Sequence, residues 1–532
     1  MSSGKTVWTS SDSLAPGQGK LTANIENDNY IKDKVADIVS SVQQSLFTIK
    51  PIWCSFQGVT CSNISGSPGH VTMIDLYSRK LTGSLPTAIG NFENLKSFDI
   101  SSNSLSGNIP STINNWNATL TLLDLSENKF TGTFPAAFGS FKFLEYFDVA
   151  SNFLNGTLSA SISALKTLLH INMHNNNLSG TIPSSISALK LLEALDLGSN
   201  CFTGSIPDLG SMRNLIKLNL AANKLSGSIP SSIGALTVLR ELFLGYNNIN
   251  GTMPSSIGSL SAITYLSLQR NALKGTIPST IGTLSTLQWM ELGSNKLTGT
   301  LPETISGMTA LNGLFFFQNS LTGTIPYSIS TLTSLRNIFL ESNSLSGTLP
   351  SSISSLKKLT LLLIRKNRLT GSVPSTVGLL TSLTYFDLSS NKLKGTIPSE
   401  ISSLSNLVYF YLSGNSLSGT IPAYIGKMTA LTALALNNNN INGTIPSEMS
   451  KLLKLTTLNL KTNYLTMGEE VAVPVSTFSN ATLYGELYLS NNCLSFIPIN
   501  FPFITVFPTR CSSNSGENNI SKFNVMICRV VF

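Results

Sequence analysis

A 24-residue sentence, written eighteen times, constrains this chain more than any other feature. It reads L-x-x-L-x-L-x-x-N-x-L-x-G-x-I-P-x-x-I-x-x-L and is plainest at Leu215–Pro230 and Leu407–Pro422. Its marker asparagines are Asn103, Asn128, Asn152, Asn176, Asn200, Asn223, Asn247, Asn271, Asn295, Asn319, Asn343, Asn367, Asn391, Asn415, Asn439, Asn463 and Asn492. Arg79 holds that place in the first copy. A short fixed period specifies a solenoid, because one unit cannot bury its apolar face and must stack on its neighbours. The repeats therefore form one elongated unit, although 532 residues of ordinary globular sequence would divide into several domains.

The L-x-L core alternates, which predicts a short strand with leucines inward and the x residues outward. Stacked strands make one parallel sheet at a spacing of about 4.8 Å, so eighteen of them extend about 85 Å. Asparagine carries donors and an acceptor, and after the strand it can satisfy backbone groups of its own turn and of the adjacent repeat. Glycine follows four residues later in sixteen copies, Gly83 to Gly443, where a Cβ would be costly. Proline at Pro86, Pro110, Pro135 and on to Pro446 suits an outer edge or bend. The I-x-x-L tail buries further apolar side chains on the convex side. All these positions specify scaffold and are silent about a ligand.

Composition excludes several classes. Charged residues make up 11%, and the formal charge of +8 is spread thinly with no basic cluster, which argues against nucleic acid. A mild attraction to acidic polymers such as pectin-like polysaccharides is compatible with it. Cys493, Cys511 and Cys528 lie in the C-terminal flank, where two can pair, and Cys201 reads as a lone thiol. Their spacing lacks the clustering of a zinc site. Three histidines (His70, His170 and His174) and no G-x-S-x-G leave no catalytic triad. Gly19-Lys20 is no phosphate loop, because Leu14 and Leu21 stand where glycine and a hydroxyl residue are needed. We therefore expect a binding protein without enzyme activity or cofactor. Eight N-x-S/T triplets occur, at Asn63, Asn117, Asn155, Asn177, Asn250, Asn442, Asn480 and Asn519. A chain so rich in these residues yields on the order of a dozen by chance, so they permit secretion without arguing for it.

The outward x positions carry the functional information, because packing does not dictate them. In the first third, the central x forms a row of Asp75, Asp99, Asp124, Asp148, Asn172 and Asp196. It reads as a solvated strand sequence, or as a surface for a cationic partner. His170 and His174 share a face with Glu145 and Asp148, but surface histidines on polar strands are common, and no metal is assigned. From Asn247 to Asn415 the outward row turns aromatic, with Phe243, Tyr246, Tyr265, Trp289, Phe315, Phe317, Phe339, Tyr385, Tyr409 and Tyr411, beside Leu361 and Leu363. Arg270, Arg336 and Arg365 lie among them, with Glu291, Glu341 and Lys366. Exposed aromatics with interspersed arginines have the composition of binding hot spots, and their rings can also stack on sugars. Filling grooves on the sheet is the competing use. The alternation predicts Leu314 and Phe316 inward, and Phe315 and Phe317 outward.

The L-x-G-x-I-P element resembles the plant-type subclass of leucine-rich repeats, found in receptor kinases, receptor-like proteins and polygalacturonase-inhibiting proteins. The stretch Trp53-Cys54-Ser55-Phe56-Gln57-Gly58-Val59-Thr60-Cys61 is similar to that family's N-terminal cap motif, with Phe56 in place of its second tryptophan. The resemblance implies a disulfide between Cys54 and Cys61 and an oxidising compartment. Upstream, Ile31, Val35, Ile38, Val39, Val42 and Leu46 recur at helical spacing over Tyr30–Phe47, which reads as a cap helix. The implied fold is an α/β solenoid, a right-handed superhelix of about 18 repeats of 24 residues with a parallel sheet on its concave face. The implied division is a disordered segment over 1–28, a cap over 29–70, repeats over 71–465, and an irregular last repeat with a C-terminal cap over 466–532. The implied function is recognition of a peptide, protein or glycan on the concave face, in signalling or defence. The ligand contacts would come from the aromatic and arginine row above. A membrane co-receptor is a further expected partner, and the expected location is extracellular or at the cell surface. Alternatives are an inhibitor of a secreted wall-degrading hydrolase, the sensor fragment of a receptor kinase, or a soluble intracellular scaffold. The last takes Met1–Lys20 at face value, since that stretch is polar and has no apolar leader run. No run of about 18 apolar residues stands as a membrane span.

Overall fold

The computed structural model describes residues 57–62, 70–466, 486–488 and 492. Among these, eighteen parallel strands, one per repeat from Val71–Asp75 to Glu486–Tyr488, make one sheet. Val59–Cys61 adds antiparallel to the first. Core residues align from repeat to repeat, as in the series Leu242, Leu266, Met290, Leu314 and Ile338. Each outward residue therefore stands beside its counterpart in the next repeat, and the concave face is ruled into columns.

After each strand the chain reverses through a left-handed residue. Tyr246 (φ 58°), Arg270 (φ 53°) and Lys366 (φ 54°) are examples, and this conformation disfavours all three residue types. The asparagine that follows holds the reversal in place. Asn247 is buried; its Oδ1 accepts from Leu225 N at 2.9 Å, and its Nδ2 donates to Leu220 O at 2.9 Å and Leu244 O at 3.2 Å. One side chain thus satisfies its own turn and the preceding repeat, and a buried backbone group left unpaired would cost about 1–3 kcal/mol.

Gly323 shows why glycine recurs. Its φ is +71°, and a Cβ there would stand 2.5 Å from the methyl group of Thr300 one repeat earlier. Proline then opens a five-residue 3-10 helix. In Ser255–Ser259, Ile257 N donates to Pro254 O at 3.1 Å, and Pro254 has φ −69°. Fifteen 3-10 helices form the convex layer among the described residues, all opened by proline except Ala160–Ala164, which Ser159 opens, and no α-helix occurs among them. The helical half of the expected α/β solenoid is thus built of 3-10 turns, because the period leaves only five or six residues for each. Between the layers, short parallel strands pair along one flank, as in Thr82–Ser84, Ser104–Asn108, Lys129–Thr133 and Phe153–Asn155.

A single apolar core runs from Val71 to Leu465. It holds ring pairs such as Phe386 and Phe410, stacked at 5.7 Å. Cys61 is disulfide-bonded, and Cys201 is a free, half-buried thiol. Cys54, the Tyr30–Phe47 helix, Cys493, Cys511 and Cys528 lie outside the described residues.

Candidate ligand-binding face

The alternation of the L-x-L core puts the aromatic row on the open face of the sheet. Phe243, Tyr265, Trp289, Phe315, Phe317, Phe339, Tyr385 and Tyr411 are half-buried, and Tyr246 and Tyr409 are exposed. Between them Leu242, Leu266, Met290, Leu314, Phe316 and Ile338 are fully buried. Over residues 313–317 the chain follows the predicted register.

At the centre the rings pack against one another. Trp289 and Phe315 stack at 5.8 Å with planes 13° apart, and Phe315 meets Phe339 edge-on at 4.9 Å. Two glycines clear the floor beneath. A Cβ on Gly313 would stand 2.4 Å from both the Trp289 and Phe315 rings, and one on Gly293 would stand 2.5 Å from the Phe317 ring. Gly313 occupies an outward strand position and Gly293 follows the Trp289–Glu291 strand, and at neither place does the repeat itself demand glycine. Their residue type, next to Trp and Phe in adjoining repeats, was the sequence signal for this pavement, and the alternation rule passed over it.

One edge of the pavement is a carboxylate. Glu291 lies on the strand of Trp289, with Phe315 beside it in register. Its Oε1 accepts from Tyr265 OH at 2.5 Å, and its Oε2 accepts from Ser267 Oγ at 2.8 Å and Gln269 Nε2 at 2.7 Å. Burial, and then the bond to Glu291, push the Tyr265 hydroxyl well above the ordinary phenol range. The Tyr265 ring in turn sits 4.9 Å from Phe243.

The arginines do not form one group. Arg270 lies over the Tyr246 ring at 5.1 Å, at the turn edge of the sheet. Arg336 is exposed at the entry to its strand and forms no ion pair among the described residues. Arg365 Nε stands 3.9 Å from Asp387 Oδ2. Asp387 is only 2% exposed, and burial raises its carboxyl despite hydrogen bonds from Ser389 and the charge of Arg365. Tyr385, Tyr409 and Tyr411 cluster around it, with Tyr385 and Tyr409 5.0 Å apart, and burial pushes the Tyr411 hydroxyl up to about 12. Leu361 and Leu363 bridge Phe339 to this cluster. The row thus has a ring pavement at its centre and a tyrosine cluster further along.

The acidic row of the first third has a structural role that neither sequence expectation included. Its residues turn back on their own chain. Asp99, Asp124, Asp148, Asn172 and Asp196 each accept, through Oδ1, the backbone N–H two residues on, at Ser101, Ser126, Ala150, His174 and Gly198. These are Asx turns, which set the chain into its reversal. Asp148 and Asp196 are buried rather than solvated. Burial pushes the Asp196 carboxyl up, but His174 and Asn219 hydrogen bonds and the Lys217 ammonium outweigh it and hold the group below its ordinary range. His174 Nδ1 is taken up by Asp196 at 3.3 Å, and His170 packs against the Tyr146 ring at 5.8 Å. No group of three or more metal-ligating side chains forms among the described residues.

A family model described as leucine rich repeat matches residues 213–273, 261–321, 285–345 and 357–417, and a second leucine-rich-repeat model matches 94–116, 119–141, 167–189 and 430–452. Among solved structures, the chain is similar to a TDR receptor, with TM-score 0.73 and 29% identity, over 79% of this chain and 76% of that one. It is similar to the plant peptide hormone receptor RGFR1 in complex with RGF2, with TM-score 0.64 and 30% identity, over 83% and 84%. It is also similar to the Arabidopsis receptor kinase HAESA in complex with the peptide hormone IDA and the co-receptor SERK1, with TM-score 0.62 and 28% identity, over 88% and 90%.

Proposed function

This chain belongs to the leucine-rich-repeat family in its plant form, and from that premise we propose that it is an extracellular recognition module that holds an extended peptide or protein segment on the aromatic row of its concave face. The observation that carries this reading is the pavement of Trp289, Phe315, Phe317 and Phe339. Its rings are half-exposed, Trp289 and Phe315 lie nearly parallel, and Trp289, Phe315 and Phe317 sit close against glycines that the repeat does not require. Scaffold residues bury their rings completely, as Phe316 does one position away. Large, rigid, partly exposed rings deliver binding area at low entropic loss, and such residues dominate interface energetics. The complexes of RGFR1 with RGF2 and of HAESA with IDA and SERK1 support a peptide as the ligand and a co-receptor as a partner. No helix among the described residues is long and apolar enough to cross a membrane.

Trp289→Ala and Phe339→Ala test the proposal. Each removes a ring from the open face without opening the core, so thermal stability changes little, while ligand affinity falls by about 2 kcal/mol or more. Titration calorimetry with a selected peptide, beside thermal unfolding of the same samples, reads both quantities. Unchanged affinity in both variants places the ligand elsewhere.

A further inference from the structure

Glu291 is the part of this face that the reading above leaves unused. Its carboxylate is oriented by three neutral donors, the Tyr265, Ser267 and Gln269 side chains, all from the preceding repeat. Among the described residues no lysine, arginine or histidine lies within ion-pairing distance of it. A half-buried carboxylate thus faces the concave space with no cation paired to it. Two donors occupy Oε2 but only one occupies Oε1, so Oε1 keeps acceptor capacity. Aromatic rings flank the charge. Phe315 stands in register on the next strand with Trp289 stacked on it, and Phe317 lies over Gly293, two residues further along the Glu291 chain. Ring faces attract cations, and a carboxylate beside them adds a charge-assisted hydrogen bond. The three donors also fix the carboxylate before any ligand arrives, so little ordering remains to be done on binding.

We propose that Glu291, with Trp289 and Phe315, is a subsite for one cationic side chain of the peptide ligand, the guanidinium of an arginine or the ammonium of a lysine. This rests on the concave-face reading above and specifies what the ligand must carry. The cation bonds Glu291 Oε1 and lies against the neighbouring rings. A neutral side chain in the same place would leave a desolvated carboxylate unpaired, so the subsite also discriminates against uncharged ligands.

Selection of phage-displayed random peptides on the full chain supplies the probes. Each recovered peptide is then measured by calorimetry against wild type, Trp289→Ala and Glu291→Gln, alongside a copy in which its arginine is replaced by citrulline or its lysine by norleucine. The expected result is that peptides dependent on Trp289 carry arginine or lysine. Either Glu291→Gln or removal of the peptide's charge then weakens them by about tenfold or more, and the two changes together do little beyond either alone. Thermal unfolding of Glu291→Gln controls for folding, and Tyr265→Phe, which removes one donor and leaves the charge, should weaken binding less. If Trp289-dependent peptides bind Glu291→Gln within twofold of wild type, the cation subsite is overturned and the concave-face reading stands. If no recovered peptide depends on Trp289 or Phe339, both fall.

Discussion

Asp124 stands in register between Asp99 and Asp148 on adjacent strands, and burial, then the charge of Asp148, push its carboxyl up to about 7. In the unfolded chain the same group titrates near 4. Between these values the folded state binds more protons than the unfolded state, so stability falls as pH rises from about 4 to 7. Asp124→Asn keeps the acceptor for the Ser126 N–H, as Asn172 and Asn219 do in their own turns. It should raise stability at pH 7.5 by on the order of 2–4 kcal/mol and leave it little changed at pH 4. Asp148 and Asp387, also raised by burial, keep a weaker slope in the variant. Thermal unfolding at the two pH values checks this, and an equal shift at both would assign the effect to something other than Asp124 ionisation.

At the scale of strands, the pavement depends on what is missing from the neighbouring strand. Gly313 is paired with Trp289 on one side and Asn337 on the other, and a methyl group on it would occupy the space of two rings. Those rings are side-chain ends that can lift, so Gly313→Ala should lower stability by only about 1 kcal/mol. It should also raise Trp289 off the sheet, red-shift its fluorescence and weaken selected peptides by about tenfold. Intact affinity would mean that the close seating of these rings against Gly313 is not what the ligand uses. The same geometry explains how much of the site was legible in sequence. The alternating rule put the strand rings outward, because period two leaves no other choice once Leu314 and Phe316 are inward, whereas Tyr246 is exposed by the left-handed reversal after its strand. It could not group them, because grouping depends on residues 24 apart along the chain. Arg336 accordingly separates from the rings, while Glu291 joins them.

For the whole molecule, a stack with one repeated interface should lose a unit without losing the fold. Excision of residues 145–168, one full period, joins Leu144 to Leu169 in the phase that Glu145 had held and leaves the pavement untouched. Excision of residues 289–312 keeps the same phase but removes Trp289 and Glu291. Both proteins should show the strand-rich circular dichroism of the parent and melt within about 10 °C of it. Only the first should keep the selected peptides. Loss of structure in both would show that the repeats are not interchangeable supports.

What the sequence determined by itself is the part of this protein that repeats. Period, strand phase, inward leucines, ladder asparagines and glycines were all readable, because each is enforced by local geometry and recurs often enough to exclude coincidence. The left-handed residue before each asparagine was not readable. Ser, Ala, Tyr and Arg all occupy it, since the Asn side chain and the neighbouring repeat impose the conformation on whatever residue is there. Only the tertiary structure decided which outward residues act together. It turned the acidic row into backbone caps, laid Trp289 and Phe317 over glycines, and gave Glu291 three donors from another repeat. Those relations arise across the stack, where contact depends on register between strands rather than on any pattern along one of them.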